Sequence, residues 1–213
     1  MQYHLKDIGA KLDPEFYRRP ATEVAPDLVG KLFVRAVDGE VLSGWIVEVE
    51  AYMGSEDPAS HAYRGETPRN RSMFGPPGHL YVYRSYGVHF CANVVTSPEG
   101  IATAVLLRGL EAQSGLELMR SRRQLDPTER LCNGPGNICQ ALGITLSDDG
   151  ATLSGDDMCI VDAGRKPSVT ATTRVGITIA ADRPWRYVDS DRISFASRPV
   201  ARVPRSRSAH PSR

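Results

Sequence analysis

The sequence predicts a mixed α+β domain dominated by antiparallel strands. Short strand-like runs meet at turn dipeptides, Asp38-Gly39 and Tyr86-Gly87, as hairpin neighbours do. With 19 glycines and 15 prolines among 213 residues, the chain is rich in turns and leaves little room for a long helical bundle. Helix-type patterns are confined to short windows between the strands.

The elements follow in order. Asp13 to Arg19 and Thr22 to Leu28 read as short helices, the second closed by Gly30. Lys31 to Val37 and Val41 to Ala51 read as strands joined at Asp38-Gly39. Met53 to Gly78 is a polar stretch containing Gly and Pro, and structureless loops of that length are often functional. Leu80 to Ser85 and Val88 to Val95 form a second hairpin around Tyr86-Gly87. Ala102 to Leu107 is a buried-type strand and Gly115 to Gln124 a helix. Asn133-Gly134-Pro135-Gly136 precedes a helix from Asn137 to Leu142; such a turn either offers free N–H groups to an anion or simply begins a helix. Met158 to Val161 and Val169 to Ile179 are two further strands. Residues 1–195 thus read as one domain, and 196–213 as a basic Arg/Pro/Ser tail with little to bury.

Composition narrows the classes. Hydrophobic residues at 41% and charged residues at 24% exclude a disordered or fibrous chain. Cys91, Cys132, Cys139 and Cys159 form neither a disulfide scaffold nor a C-x-x-C pair. No apolar run approaches the ~20 residues of a membrane span, and the N-terminus lacks a signal-peptide core. The chain reads as a reduced, cytoplasmic protein. Its net charge of +1 hides an asymmetry: Arg192 to Arg213 holds six arginines and no acid, which leaves 20 basic and 25 acidic residues before it. Such a tail either contacts phosphates or only solubilises the end.

Side chains change face at each strand residue, so Trp45, Val47, Val49 and Ala51 share an apolar face. Ile46, Glu48, Glu50 and Tyr52 share the other. Glu50 beside Tyr52 is either a solvent-facing strand edge, the reading the pattern alone favours, or a carboxylate set to activate water. Tyr81 and Tyr83 lie on one face of the next hairpin, where Tyr81 is most simply structural. Tyr86, at the tip beside Gly87, gains little from folding and has the form of a wedge between stacked bases. Asn93 is either a packing hydrogen bond or a reader of ligand edges. His61 is a loop histidine with no second ligand at metal-binding spacing. No G-x-S-x-G, P-loop or dinucleotide fingerprint is present. Arg108 ends a buried strand and calls for a carboxylate or phosphate, with Glu50 and the nearer Glu111 as candidates.

An ordered series of blocks then identifies a resemblance. It comprises Ile46-Val47-Glu48-Val49-Glu50-Ala51-Tyr52, Thr67-Pro68-Arg69-Asn70, Met73-Phe74-Gly75-Pro76-Pro77-Gly78 and Leu80-Tyr81-Val82-Tyr83 through Tyr86-Gly87. It continues in His89-Phe90-Cys91-Ala92-Asn93, Ala104-Val105-Leu106-Leu107-Arg108, Leu131-Cys132-Asn133-Gly134-Pro135-Gly136 and Cys139-Gln140-Ala141-Leu142-Gly143-Ile144. Over roughly residues 20 to 195 the chain resembles the 3-methyladenine (alkyladenine) DNA glycosylase family. The resemblance implies a single domain built mainly on an antiparallel curved sheet with surrounding helices and a protruding β-hairpin. It implies a monofunctional base-excision enzyme that flips alkylated or deaminated purines, among them 3-methyladenine, 7-methylguanine, hypoxanthine and ethenoadenine. By the same resemblance Glu50 activates water and Arg108 helps hold it. Tyr52 on one side, and His61 with Tyr83 on the other, stack the flipped base. Asn93 obstructs the guanine amino group, and Tyr86 fills the gap left in the duplex. A backbone carbonyl near Ile193 is a further family contact, but the sequence around it departs from the family pattern and Ile193 is left out of the site. No metal or organic cofactor is implied. The implied partner is double-stranded DNA containing a damaged purine, met by a monomer without a membrane. Two rival readings remain: a non-catalytic binder of damaged or distorted DNA, and a hydrolase of free nucleosides, which would need no wedge.

Overall fold

The computed structural model describes residues 9–197. β1 (Ala10–Lys11) leads to α1 (Pro14–Tyr17), whose N-cap Asp13 accepts the Glu15 N–H at 2.8 Å, and then to α2 (Ala21–Leu28). β2 (Leu32–Val37) and β3 (Glu40–Tyr52) form a hairpin on Asp38 and Gly39, at φ 55° and 76°. Two successive left-handed residues suit the right-handed twist of the flanking strands. β4 (Leu80–Ser85) and β5 (His89–Thr96) form the second hairpin, followed by β6 (Thr103–Ser114), α3 (Leu116–Arg123) and α4 (Pro135–Leu142). β7 (Met158–Asp162), β8 (Val169–Thr172) and β9 (Arg186–Asp189) complete the set. The strands make one nine-stranded sheet in the order β1-β7-β2-β3-β6-β5-β4, with β9 paired to β3 and β8 to β9. All its pairings are antiparallel, which is the α+β class expected.

Several boundaries differ from the sequence reading, each for a local reason. β6 runs on to Ser114 rather than ending at Leu107, because Arg108 and Glu111 both find ionic partners within the fold. The strand expected over Val169 to Ile179 stops at Thr172. Beyond it Gly176 (φ 79°) and Ala180 (φ 51°) turn the chain, and β9 takes the place beside β3. The long loop after β3 holds only two short 3₁₀ turns, Gly54–Glu56 and Arg71–Phe74.

The alternation along β3 also breaks. Ile46 faces Leu110, Glu48 faces Gly109 and Val49 faces Leu107, with register shifts between them. A bulge of this kind reverses parity. Ile46 therefore joins Val49 and Ala51 in the core instead of sharing the Glu48 face. That core lies against α2 and α4 and takes Leu80 and Val82 from β4, Ala92 and Val94 from β5, and Val105 and Leu107 from β6. Strand alternation then sends Tyr81, Tyr83, Cys91, Asn93 and Leu106 to the opposite face, beside Glu50 and Tyr52.

Among the described residues no helix is long and apolar enough to cross a membrane. Ala196 and Ser197 are buried. The rest of the expected tail, 198–213, lies outside the described residues.

Candidate active site

The sheet register places Arg186, Glu50, Leu106, Asn93 and Tyr81 in one transverse row across five strands. Neighbouring strands stand ~4.8 Å apart, so the row carries an acid, an amide and a phenol across one short patch. Over that face lies a cavity of about 450 Å³, lined by Tyr52, His61, Tyr83, Tyr86, Asn93 and Arg108 among others. Its size is within the ~300–1,000 Å³ of small-molecule clefts.

Glu50 stands directly behind the cavity wall. It is fully buried, and three of its neighbours, Tyr52, Arg108 and Val175, line the cavity. The Tyr52 hydroxyl donates to Oε2 at 2.9 Å and the Val175 N–H to Oε1 at 2.7 Å, while Arg108 Nη1 lies 3.4 Å from Oε2. Burial raises the Glu50 pKa above the ordinary carboxylate value, even though Arg108, the Val175 N–H and the Tyr52 hydroxyl all oppose the shift. The carboxyl is thus a stronger base than one in water, and the solvent-facing alternative does not hold.

Arg108 is the second charge of the site. Burial lowers its pKa, but Glu50 and Glu48 outweigh that and leave it raised. Glu48 is the residue sequence reasoning passed over. It accepts from Arg108 at 3.1 Å, Arg186 at 2.7 Å and the Ser197 hydroxyl at 2.8 Å, all buried. Glu111, the other candidate partner for Arg108, pairs with Arg165 at 2.8 Å and Arg192 at 3.3 Å instead.

The aromatic wall is built from a loop and a hairpin. His61 meets the Tyr83 ring edge-on at 4.5 Å between centroids, and its Nδ1 lies 2.9 Å from the Tyr81 hydroxyl. Tyr81 stacks on Tyr83 at 5.5 Å. Tyr81 therefore contacts both His61 and Tyr83 on the cavity wall, beyond plain core packing. The loop is held by Asn70, which donates to the His61 carbonyl at 2.9 Å and the Gly65 carbonyl at 3.1 Å while accepting from Thr67. Burial and Arg69 depress the His61 pKa, so its ring is neutral at pH 7. Asn93 donates its amide to the Tyr81 carbonyl at 3.0 Å. A carbonyl partner accepts only from the NH₂ end, which turns Oδ1 away from that bond.

At the hairpin tip Tyr86 is 94% exposed with φ 48°, followed by Gly87 at φ 70° and Val88, 73% exposed. A large ring in full water on a left-handed backbone gains nothing from folding. Ile193 lies in the 3₁₀ turn Ser190–Phe195 and does not line the cavity. The backbone group that meets Glu50 belongs to Val175, on the segment misread as strand. Pro135 of the Asn133–Gly136 turn also lines the cavity. Among the described residues no group of three or more His, Cys, Asp or Glu is placed to hold a metal ion, and all four cysteines are free and buried.

Comparison with known proteins finds close relatives over most of the chain. A protein of Rhodopseudomonas palustris (strain CGA009) is 50% identical over 195 residues, 92% of either chain. One of Burkholderia lata is 48% identical over 200 residues, 91% of this chain and 94% of its own. One of Burkholderia cenocepacia (strain HI2424) is 50% identical over 184 residues, 84% and 87% of the two chains. All three carry a provisional assignment as 3-methyladenine DNA glycosylase. The family model for methylpurine-DNA glycosylase matches residues 15–193, nearly all that the structure describes, and this chain belongs to that family.

Proposed function

We propose that this DNA glycosylase acts as a monomer on duplex DNA, turns a damaged purine nucleotide out of the stack and hydrolyses its N-glycosidic bond. The products are the free base and an abasic site. The lesion class is alkylated and deaminated purines, 3-methyladenine, 7-methylguanine, hypoxanthine and ethenoadenine among them. One observation carries the reading: a buried carboxylate of raised pKa stands behind an aromatic cavity whose rim holds an exposed tyrosine.

A base inside a duplex is out of reach, and extruding it costs a few kcal/mol, least where pairing is already damaged. Stacking between Tyr52 and the His61–Tyr83 pair returns ~1–3 kcal/mol per base. Tyr86 is positioned to occupy the vacated space, the use minor-groove proteins make of inserted side chains. Breaking the C1′–N bond sends its electron pair to the base. The base leaves neutral where methylation had made it cationic, and otherwise leaves as an anion that takes a proton from solvent. The sugar is left with oxocarbenium-like charge. Water adds its oxygen to C1′ and gives a proton to Glu50, whose negative charge also steadies the cationic sugar. Oε2 of Glu50 accepts from both Tyr52 and Arg108, while Oε1 accepts the Val175 N–H and keeps a second lone pair for water. Arg108 holds the carboxylate and shares its charge with Glu48.

The test is a mass-spectrometric assay for free base. Duplexes carrying one lesion each, and the matching free nucleosides, are incubated with the wild-type chain. Release from duplex but not from nucleoside is the expected result. Tight lesion binding with no released base would leave only the non-catalytic binder, and equal release from nucleoside would favour the nucleoside hydrolase.

A further inference from the structure

We infer that Arg174 is a positioning residue for the excision reaction: its guanidinium, clamped by Asp57, fixes the Tyr52 ring and the Val175 N–H on Glu50. The inference rests on the reading of Glu50 and Tyr52 proposed above.

Arg174 and Asp57 are both fully buried at their side chains. They form a two-pronged bond, Nη1 to Oδ2 at 2.5 Å and Nη2 to Oδ1 at 2.9 Å. Nη1 also donates to the Ala51 carbonyl at 3.0 Å, next to Tyr52. The guanidinium carbon stands 4.7 Å from the Tyr52 ring centroid and 5.1 Å from that of Trp185. One face of the Tyr52 ring is thus taken by a cation, and the ring lines the cavity with what remains. Asp57 in turn accepts the Ala59 N–H at 3.2 Å and the Met53 N–H at 3.3 Å, and Ala59, Ser60 and His61 line the cavity. The residue after Arg174 is Val175, whose N–H meets Glu50 at 2.7 Å.

One ion pair therefore joins three chain segments around the cavity: the end of β3, the loop at 57–61 and the segment at 174–177. Plain packing is an insufficient account. A buried ion pair is no more stabilising than apolar residues of similar volume, and this one leaves Arg174 Nε buried with no hydrogen-bond partner. Orphaned donors of that kind mark places held for another reason. Lysine would keep the charge but lose both the fork and the stacking plane.

The charged and polar groups facing Glu50 are Tyr52 and Glu48 from its own strand, Arg108 from β6, and the Val175 N–H. Arg186 from β9 reaches Glu48, and the charge of Arg174 itself interacts with Glu50. Of these, the Tyr52 and Val175 bonds depend on where Arg174 holds the chain. Weakening either makes the carboxylate take up its proton more readily.

The experiment uses R174K on a duplex pre-treated with a methylating agent. It reads single-turnover release of methylpurines against pH, affinity for the methylated duplex, and thermal unfolding, with E50Q alongside. The expected loss of rate is on the order of tenfold to a hundredfold, as small misplacements produce. Affinity should fall less, and the acid limb of the rate profile should move to higher pH. A wild-type rate, or a loss equal at every pH that merely follows the folded fraction, would overturn the inference. Should R174K not fold, D57N keeps the Arg174 stack while weakening its clamp. The same upward shift of the acid limb in D57N supports the inference, and an unmoved limb overturns it. Release by E50Q at the wild-type rate would instead remove the reading on which the inference stands. An inactive E50Q beside an unaltered R174K would remove only the role of Arg174.

Discussion

In the proposed reaction Glu50 carries the chemistry: its burial raises proton affinity while three neighbours keep the charged form available. The sign of the pH effect follows. Water is activated only by the deprotonated carboxylate, so excision should slow as pH falls through a midpoint above the ordinary carboxylate range. A single-turnover rate profile checks this; a midpoint at or below that range contradicts it. Tyr52 has two separable duties, a hydroxyl on Glu50 at 2.9 Å and a ring on the cavity. A hydrogen bond to a charged group contributes ~1.5–3 kcal/mol. Tyr52→Phe should therefore slow excision by roughly tenfold or more while keeping lesion affinity, whereas Tyr52→Ala should lose both. Equal effects of the two substitutions on affinity would show that the ring does not stack the base. At this scale a motif named Glu50, Tyr52 and Asn93 for the proposed site, and the fold puts Tyr52 and Asn93 on the cavity with Glu50 behind it. The sequence was least legible for Glu48, whose partners Arg108, Arg186 and Ser197 come from 60, 138 and 149 positions away.

The β4–β5 hairpin is an element whose tip works against its own folding. Tyr86 sits at φ 48° and 94% exposed, and a left-handed backbone costs a non-glycine residue about 1–2 kcal/mol. Tyr86→Gly should leave the thermal midpoint unchanged or raised, and should slow excision from duplex more than from single-stranded substrate. A large drop in the midpoint would mean the ring is structural. The bulge between β3 and β6 is the other device. At Gly109 an added Cβ would stand 3.0 Å from the Phe195 carbonyl oxygen and 3.1 Å from Glu48 Cβ. Gly109→Ala is expected to destabilise by about 1–3 kcal/mol, the usual range for overpacking, measurable by denaturant unfolding. Both hairpins were legible from Asp38-Gly39 and Tyr86-Gly87, because turn chemistry is local. The bulge was not, since nothing in the residues from Ile46 to Val49 announces which partner register wins. β1 and β9, at two and four residues, carry too little pattern to be read.

For the whole molecule, the organisation is a single antiparallel sheet with helices on one face and the candidate site on the other. Alternation pairs Tyr81 with Tyr83 and Glu50 with Tyr52, and the sequence carried this much; the register that brings those pairs and Asn93 onto one face lies in the strand pairing. The 173–185 segment, which brings Arg174 and Val175 to the site, was hidden by an alternation of Val175, Ile177 and Ile179 that imitates a strand. The six arginines of Arg192 to Arg213 belong to this scale as well. Deleting the segment past Arg198 should weaken nonspecific DNA binding and flatten its dependence on salt, by ~0.9 in log–log slope for each phosphate no longer neutralised. An unchanged slope in a binding titration would deny the tail that part. The most direct measurement of all is the single-turnover rate of base release by Glu50→Gln from a methylated duplex. The proposed chemistry expects a loss of at least ~10²–10⁴, the contribution of a positioned proton acceptor, with affinity for the lesion largely kept. Release at the wild-type rate, with the same acid limb, would contradict it.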